Sequence, residues 1–139
     1  MMVIYRITNP KILGHLMEYA KQNQIIFRSK SQNRKGVLRS TVHGCKGLEA
    51  KIVFILNVDK DLYGFPCELE DPIILDTAKP ISEATTNKEE EERRLFYVGI
   101  TRAKEQAIIF NQKCKESKFI NEIKPFIEVV DMPYAPNSG

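Results

Sequence analysis

Two buried strands joined by a glycine-flanked turn are predicted within residues 37–58, whose sequence is VLRSTVHGCKGLEAKIVFILNV. Val37 to His43 has the composition of one strand, and Ile52 to Val58 is a nearly continuous apolar run. Strands that are apolar without alternation are typical of a parallel sheet with both faces covered. The stretch therefore indicates an α/β fold, a layered and mostly parallel sheet flanked by helices.

The flanking sequence supplies helices and further strands for such a sheet. Asn9-Pro10 is a helix-start signal with Asn9 as N-cap, and helical spacing predicts an amphipathic helix over 10–22. Its apolar stripe is expected to lie in the core: Ile12, Leu13, Leu16, Met17 and Ala20. The other predicted elements are strands at Val3–Tyr5, Ile25–Phe27, Gln106–Phe110 and Ile127–Val130, and helices at Glu89–Ala103 and Ser117–Ile123.

One domain over residues 1–132 is expected, since 139 residues suffice for a single hydrophobic core. Residues 59–88 are rich in acids, glycine and proline without periodicity, which predicts a long acidic loop within that domain. The acids at 89–92 are expected to form a solvated first turn of the next helix. Residues 133–139 are expected to be a loose tail.

Charge is divided unevenly along the chain. Residues 1–58 hold ten Lys/Arg against two Asp/Glu, residues 59–92 three against eleven, and residues 93–139 eight against five. This division suggests one face that meets a polyanion and an acidic segment held away from it. Chance clustering on a solvated surface explains the same counts equally well.

The cysteines and the hydropathy narrow the class of protein. Cys45, Cys67 and Cys114 are odd in number and scattered, without a CxxC pair or clustered histidines. Disulfides and a structural metal are therefore not expected, and a reducing cytoplasm fits. No apolar run approaches the roughly 18–20 residues that a membrane span needs, so no membrane partner is expected.

The turn after Val37–His43 carries groups that suit a nucleic-acid backbone. Ligands of open α/β sheets bind at the carboxyl ends of strands, and Thr41 and His43 place a hydroxyl and an imidazole there. Gly44 and Gly47 leave backbone N–H groups open to phosphate. The turn is not a nucleotide P-loop, because the Walker A pattern G-x-x-x-x-G-K-[ST] does not occur in the sequence.

A second charged stretch, EERRLFYVGITRAK, covers residues 91–104. Arg102 lies near the end of the predicted helix, where its guanidinium can point out of the domain. An arginine supplied to a nucleotide on another domain neutralises charge on the transferred phosphoryl group. An arginine that only complements the helix dipole is the alternative, and spacing alone favours that simpler interpretation.

Both stretches resemble the last two motifs of superfamily 1 DNA helicases of the UvrD/Rep type, with the strongest likeness to the DNA helicase IV group. Residues 41–49 are similar to T-x-H-x-x-K-G-L-E, and residues 91–103 to E-E-R-R-L-x-Y-V-x-x-T-R-A. Gly64-Phe65-Pro66 matches a G-F-P turn between them, and Val3 to Arg6 resembles a strand that ends in Tyr-Arg. The resemblance implies a C-terminal RecA-like domain, half of a motor that unwinds DNA in the 3′–5′ direction.

The resemblance also implies a role for each matching residue. Arg102 is the finger that reaches the γ-phosphate of ATP, Glu49 hydrogen-bonds the ribose, and Gly47 belongs to the same ATP-binding turn. Thr41 and His43 contact single-stranded DNA or relay between DNA and the nucleotide. ATP and Mg²⁺ are held mainly by the N-terminal RecA-like domain of the same helicase, so this domain alone is expected to be inactive.

Two further expectations complete the sequence-based account. Tyr97 and Arg94 are expected to pack against and brace the second motif, not to touch ligand. The alternative function is a helicase-like module that binds nucleic acid or a protein without hydrolysing ATP.

Overall fold

The computed structural model describes residues 1–6, 10–62, 64–67 and 81–132, without the side chains of Pro10, Ile12 and residues 81–86. The described residues form a parallel sheet of five strands in the order β2-β3-β1-β4-β5. The strands are β1 (Met2–Tyr5), β2 (Phe27–Arg28), β3 (Val37–Thr41), β4 (Ala50–Ile55) and β5 (Ala103–Ile109). The helices are α1 (Pro10–Gln22), α2 (Ile81–Thr101) and α3 (Lys118–Ile123), followed by a 3-10 helix at Lys124–Phe126. The predicted α/β class with a parallel sheet is confirmed.

The core lies between the sheet and α2. Met2 and Ile4 of β1 pair with Val53 and Ile55 of β4, and all four are 0% exposed. Alternate residues of a strand share one face, so these side chains form a continuous apolar layer. The ring of Phe96 on α2 lies 5.6 Å from the Phe65 ring and 5.7 Å from the Phe119 ring, which adds an aromatic cluster above that layer.

The polarity of the sheet defines two edges. The strands end at what we call the carboxyl edge, which includes Tyr5 and Thr41, and begin at the amino edge, which includes Ala50 and Ala103. Because α2 leads from the end of β4 to the start of the parallel β5, it runs back from the carboxyl edge to the amino edge.

Most of the predicted elements are confirmed, with small shifts at their ends. The strands at Val3–Tyr5, Val37–His43, Ile52–Val58 and Gln106–Phe110 correspond to β1, β3, β4 and β5, and the helices at 10–22 and Ser117–Ile123 to α1 and α3. Ser117 is the N-cap of α3, where its side chain accepts the Phe119 N–H at 3.2 Å. The predicted strand Ile25–Phe27 is displaced to Phe27–Arg28. Asn9 and the tail at 133–139 lie outside the described residues.

The predicted start of α2 at Glu89 is wrong, and so is the extent of the acidic loop at 59–88. The helix already begins at Ile81. No glycine or proline interrupts residues 81–98, so the helix continues through the acids. Glu89 and Glu90 lie in its interior, where Arg93 and Arg94 pair with them at 3.1 and 3.9 Å, one turn along. Residues 68–80 of the predicted loop lie outside the described residues.

The predicted strand at Ile127–Val130 does not form. The chain leaves the 3-10 helix at Lys124–Phe126 in an irregular path, and Val129 and Val130 are 65% and 71% exposed. A strand needs a neighbour for its backbone hydrogen bonds, and apolar composition alone does not provide one.

The apolar stripe of α1 lies only partly in the core. Ala20 is buried, and Leu13 and Leu16 are half-buried, but Met17 is 43% exposed. The prediction that the whole stripe is core is therefore wrong for Met17.

No helix in the described part of the chain is long and apolar enough to cross a membrane. Within the same residues, no cluster of three or more His, Cys, Asp or Glu side chains could hold a metal ion. Cys45 and Cys67 are buried, Cys114 is exposed, and all three are free thiols.

A buried carboxylate lies just beyond β4. Asp59 is 2% exposed and accepts the Gln112 N–H at 2.6 Å. Burial raises the pKa of Asp59 above its ordinary value of 3.8, and the hydrogen bond from Gln112 only partly opposes this. The Asp59 carboxyl group therefore binds its proton more tightly in the native state than in the unfolded chain. Protonated Asp59 adds to the free energy of unfolding, and this contribution is lost as pH rises through the raised pKa of the folded state.

Asp59→Asn is expected to remove that loss, since an amide oxygen still accepts the Gln112 N–H but carries no charge to desolvate. Urea unfolding of both proteins between pH 4 and pH 7 measures the effect. The free energy of unfolding of the variant, relative to the parent, should rise with pH over this range. A difference that stays constant with pH would contradict the assignment.

Candidate functional site

The carboxyl edge presents the first two predicted contact residues. Thr41 ends β3 and pairs with Tyr5, and the next N–H, of Val42, donates to the Tyr5 carbonyl oxygen at 2.9 Å. Thr41 Oγ1 accepts the Gly44 N–H at 3.2 Å, and the Thr41 carbonyl oxygen accepts the Cys45 N–H at 3.0 Å. His43 lies on this turn with its side chain exposed. The edge therefore offers a hydroxyl and an imidazole to solvent.

The turn keeps this shape because of its small residues. A Cβ at Gly44 would lie 2.8 Å from Ser40 Oγ and 3.2 Å from Thr41 Oγ1, so only glycine fits without displacement. Cys45 is 0% exposed, and its Sγ donates to the Val42 carbonyl oxygen at 3.0 Å. Gly47 has a φ of 78°, in the left-handed region that glycine adopts at little cost. These features fold residues 42–47 into tight turns that lead back across the sheet.

The amino edge brings Glu49 and Arg102 side by side. The Ala50 N–H donates to the Arg102 carbonyl oxygen at 3.0 Å, and Ala50 pairs with Ala103. Glu49 is exposed, with its Oε2 3.6 Å from Lys104 Nζ. Two residues that are 53 positions apart in sequence thus meet where β4 and β5 begin.

The guanidinium of Arg102 is folded over the end of α2. Its Nε donates to the Val98 carbonyl oxygen at 3.2 Å, and its Nη2 donates to Thr101 Oγ1 at 3.3 Å. In the described part of the chain, Arg102 forms no salt bridge with a carboxylate. Its hydrogen bonds within the described residues therefore go to neutral oxygens.

The two edges are far apart. Met2 pairs with Val53 and marks a common level across β1 and β4. Thr41 pairs with Tyr5, three residues after that level, and Ala50 lies three residues before it. Six residues of strand correspond to about 20 Å. The predicted site residues therefore form two groups: Thr41 and His43 at one edge, and Glu49 with Arg102 at the other. Gly47 lies two residues before Glu49, on the segment that connects the groups.

The predicted bracing role is wrong for Arg94. Its side chain is 77% exposed, and its nearest carboxylate is Glu90 at 3.9 Å. Tyr97 contacts the Phe96 ring, with centroids 6.1 Å apart, but is itself 41% exposed. Positions 94 and 97 share a helical face that points away from the one formed by 92, 96 and 99.

Glu92 is buried, so its predicted place in a solvated first turn is wrong. Glu92 is 2% exposed and accepts two hydrogen bonds from Arg6 Nε, at 2.8 and 3.0 Å, and one from the Cys67 N–H at 3.0 Å. Arg6 Nη2 also donates to Glu92 Oε1. The available signal was position: Glu92 lies four and seven residues before Phe96 and Gly99, on the buried face of the helix.

The fold and the two motif-bearing edges are those of an α/β domain of the helicase class. The chain belongs to the family of UvrD-like helicase C-terminal domains, since the model of that family matches residues 6–113. This match takes in both motifs and every predicted site residue.

The chain is also similar in sequence to DNA helicases of several bacteria. The chain is 33% identical over 123 residues to a probable DNA helicase II homolog of Mycoplasma capricolum. The alignment covers 81% of this chain and 15% of that protein. It is 33% identical over 104 residues to the ATP-dependent DNA helicase PcrA of Bacillus subtilis, covering 68% and 12%. It is 32% identical over 95 residues to DNA helicase IV of Escherichia coli, covering 68% and 13%. The chain thus spans only a small part of the length of these relatives.

A solved structure supports the fold. The C-terminal domain of a possible DNA helicase from Lactobacillus plantarum WCFS1 aligns with a TM-score of 0.50 and 16% identity, over 86% of this chain and 59% of that one. At this identity the likeness concerns the fold alone.

The burial of the thiols predicts their order of reaction. Burial raises the pKa of Cys45, and the nearby charge of Arg102 only partly lowers it, so Cys45 stays a protonated, inaccessible thiol. In a chromogenic disulfide assay, the native chain should release one equivalent rapidly, from Cys114, and two more only in denaturant. Cys114→Ser should abolish the rapid phase. A rapid phase that persists in this variant would show that Cys45 or Cys67 is accessible.

Proposed function

We propose that this chain is the C-terminal motor domain of an ATP-dependent DNA helicase that moves along single-stranded DNA and unwinds duplex in the 3′–5′ direction. ATP with Mg²⁺ binds between this domain and the N-terminal RecA-like domain of the same helicase, which holds the phosphates and the metal. The observation that carries the proposal is the proximity of Glu49 and Arg102, which precede the paired residues Ala50 and Ala103 at the amino edge, opposite Thr41 and His43.

The amino edge has the chemistry that a nucleotide held by another domain needs. Arg102 offers a fork of N–H donors, and a phosphate oxygen is a stronger acceptor for it than the neutral oxygens it now contacts. The Glu49 carboxylate can accept hydrogen bonds from ribose hydroxyls. Its exposed pair with Lys104 is worth at most about 1 kcal/mol and does not prevent the exchange. Among the described residues, no heavy atom beyond its two chain neighbours lies within 4 Å of a Cβ built on Gly47, so a ligand can approach that backbone closely.

The carboxyl edge has groups suited to the DNA backbone. Thr41 Oγ1 accepts the Gly44 N–H and retains a hydroxyl hydrogen that can be donated to a phosphate oxygen. His43 and Lys46 are exposed on the same turn. Residues 1–58 hold ten Lys/Arg against two Asp/Glu, so this part of the chain attracts a polyanion. These are backbone contacts, which position DNA without selecting its sequence.

A non-hydrolysing binding module is the second candidate. It would use the carboxyl edge in the same way but would have no use for Glu49 and Arg102 together at the amino edge. The position of both residues at the starts of the neighbouring strands β4 and β5 therefore favours the motor. We also propose a cytoplasmic location, which suits the three free thiols.

In the intact helicase, Arg102→Ala is expected to lower DNA-stimulated ATP hydrolysis by about a thousandfold, the cost of removing an arginine finger. Binding of single-stranded DNA should be nearly unchanged, because Arg102 lies at the opposite edge. Steady-state ATPase assays and fluorescence anisotropy measure the two quantities. Arg94→Ala is the matched control and should leave both unchanged, since Arg94 is exposed and weakly paired. Hydrolysis within about threefold of the parent in Arg102→Ala would favour the binding module.

A further inference from the structure

An ion pair in the interior joins three segments that are distant in sequence. Arg6 follows β1, Glu92 lies on α2, and Cys67 belongs to the turn that includes Gly64-Phe65-Pro66. The Arg6 guanidinium grips both carboxylate oxygens of Glu92, 86 residues away, and the Cys67 N–H donates to Oε2 of the same carboxylate at 3.0 Å. Glu92 is 2% exposed, so the contact is shielded from water.

The pair lies beside the carboxyl edge. Arg6 is the next residue after Tyr5, whose carbonyl oxygen accepts the Val42 N–H at 2.9 Å. Tyr5 itself pairs with Thr41. Two backbone contacts therefore join the Thr41 turn to Tyr5, the residue next to Arg6.

α2 connects this contact with the amino edge. From Glu92 the helix continues to Thr101 without proline, a length of about 14 Å. Phe96 and Gly99 are buried along it, and a Cβ on Gly99 would lie 3.8 Å from Val42 Cγ2. Arg102 follows directly, with its carbonyl oxygen bonded to the Ala50 N–H beside Glu49. The buried face of the helix thus starts at Glu92 beside the carboxyl edge, and the helix ends directly before Arg102 at the amino edge.

The chemistry of the Arg6–Glu92 pair suits a contact that fixes the position of α2 better than one that only stabilises the fold. The cost of removing both charges from water offsets most of their attraction, so an apolar contact could stabilise the fold as well. A two-pronged guanidinium–carboxylate contact, however, accepts one orientation and one register, whereas apolar side chains tolerate sliding.

We propose that the Arg6–Glu92 pair is a positioning contact that fixes α2 along its axis and thereby places Arg102 when DNA occupies the Thr41 edge. The inference rests on the proposed function. Arg6 and Glu92 are positioning residues here, since neither lies at the amino edge where Arg102 acts.

The test removes both charges in the intact helicase. In Arg6→Met/Glu92→Gln, the charge is removed from both sides of this contact, and the amide oxygen can still accept the Cys67 N–H. We expect DNA-stimulated kcat for ATP hydrolysis to fall by about tenfold or more, because small misplacements of a catalytic group are costly. KM for ATP and Kd for single-stranded DNA should stay within about threefold, since the arginine acts on charge that develops in the transition state.

Stability is measured alongside activity. Glu92→Gln alone removes the buried carboxylate that the Arg6 guanidinium contacts and should lower Tm, and the double variant should recover much of that loss. Arg6→Lys is the second variant: it keeps the charge but loses the fork, and it should also lower stimulated kcat. Glu122→Gln is the matched control. It removes the negative charge from the exposed contact between Arg93 of α2 and Glu122 of α3, at 2.9 Å, and should leave stimulated kcat unchanged.

The outcomes separate this inference from the proposed function. Lowered stimulation in the folded double variant and in Arg6→Lys, with KM and Kd retained, supports the positioning role. Full stimulation in either folded variant overturns it and leaves the pair a purely structural contact. If Arg102→Ala itself retains hydrolysis, the proposed function fails, whatever the Arg6 and Glu92 variants do.

Discussion

The pairing of β4 with β5, closed by the hydrogen bond from the Ala50 N–H to the Arg102 carbonyl oxygen, is the contact on which the site depends. Because the two strands are parallel, their connection must run back along the whole sheet. That connection includes α2, whose buried Phe96 contributes to the aromatic core. The same requirement that builds the core therefore sets Arg102 next to Glu49, although one precedes β5 and the other precedes β4.

Strand polarity also separates the two kinds of chemistry. Thr41 ends a strand and Glu49 precedes one, so eight positions of sequence correspond to opposite edges of the sheet, about 20 Å apart. Small residues allow the segment between them to make the crossing: Gly44 avoids Ser40, and Gly47 supplies the left-handed backbone. The two groups of candidate site residues thus lie at separate edges, which are linked by the tight turns of the crossing segment and by α2.

Much of the fold could be predicted because its signals are local. Continuous apolar runs indicated parallel strands, and helical spacing indicated α1. The position of Glu92 on the face of Phe96 and Gly99 was a local signal for its burial, but its partner Arg6 lies 86 residues away and a run of four acids is normally solvated. The prediction of a strand at Val129 and Val130 was wrong for a different reason: these residues are apolar, but they are exposed and pair with no strand of the described sheet. For the candidate site, the motifs supplied the residue types, and the grouping into two edges required the register of the sheet.

The proposed function requires that Glu49 and Arg102 of this domain contribute to a nucleotide site held mainly by another domain. It is tested most directly by measuring ATP hydrolysis by the purified 139-residue chain, alone and mixed with the separately purified N-terminal RecA-like domain, in the presence of single-stranded DNA and Mg²⁺. The account predicts no turnover by the chain alone and turnover that appears on mixing and is lost with Arg102→Ala. Turnover by the chain alone would contradict it.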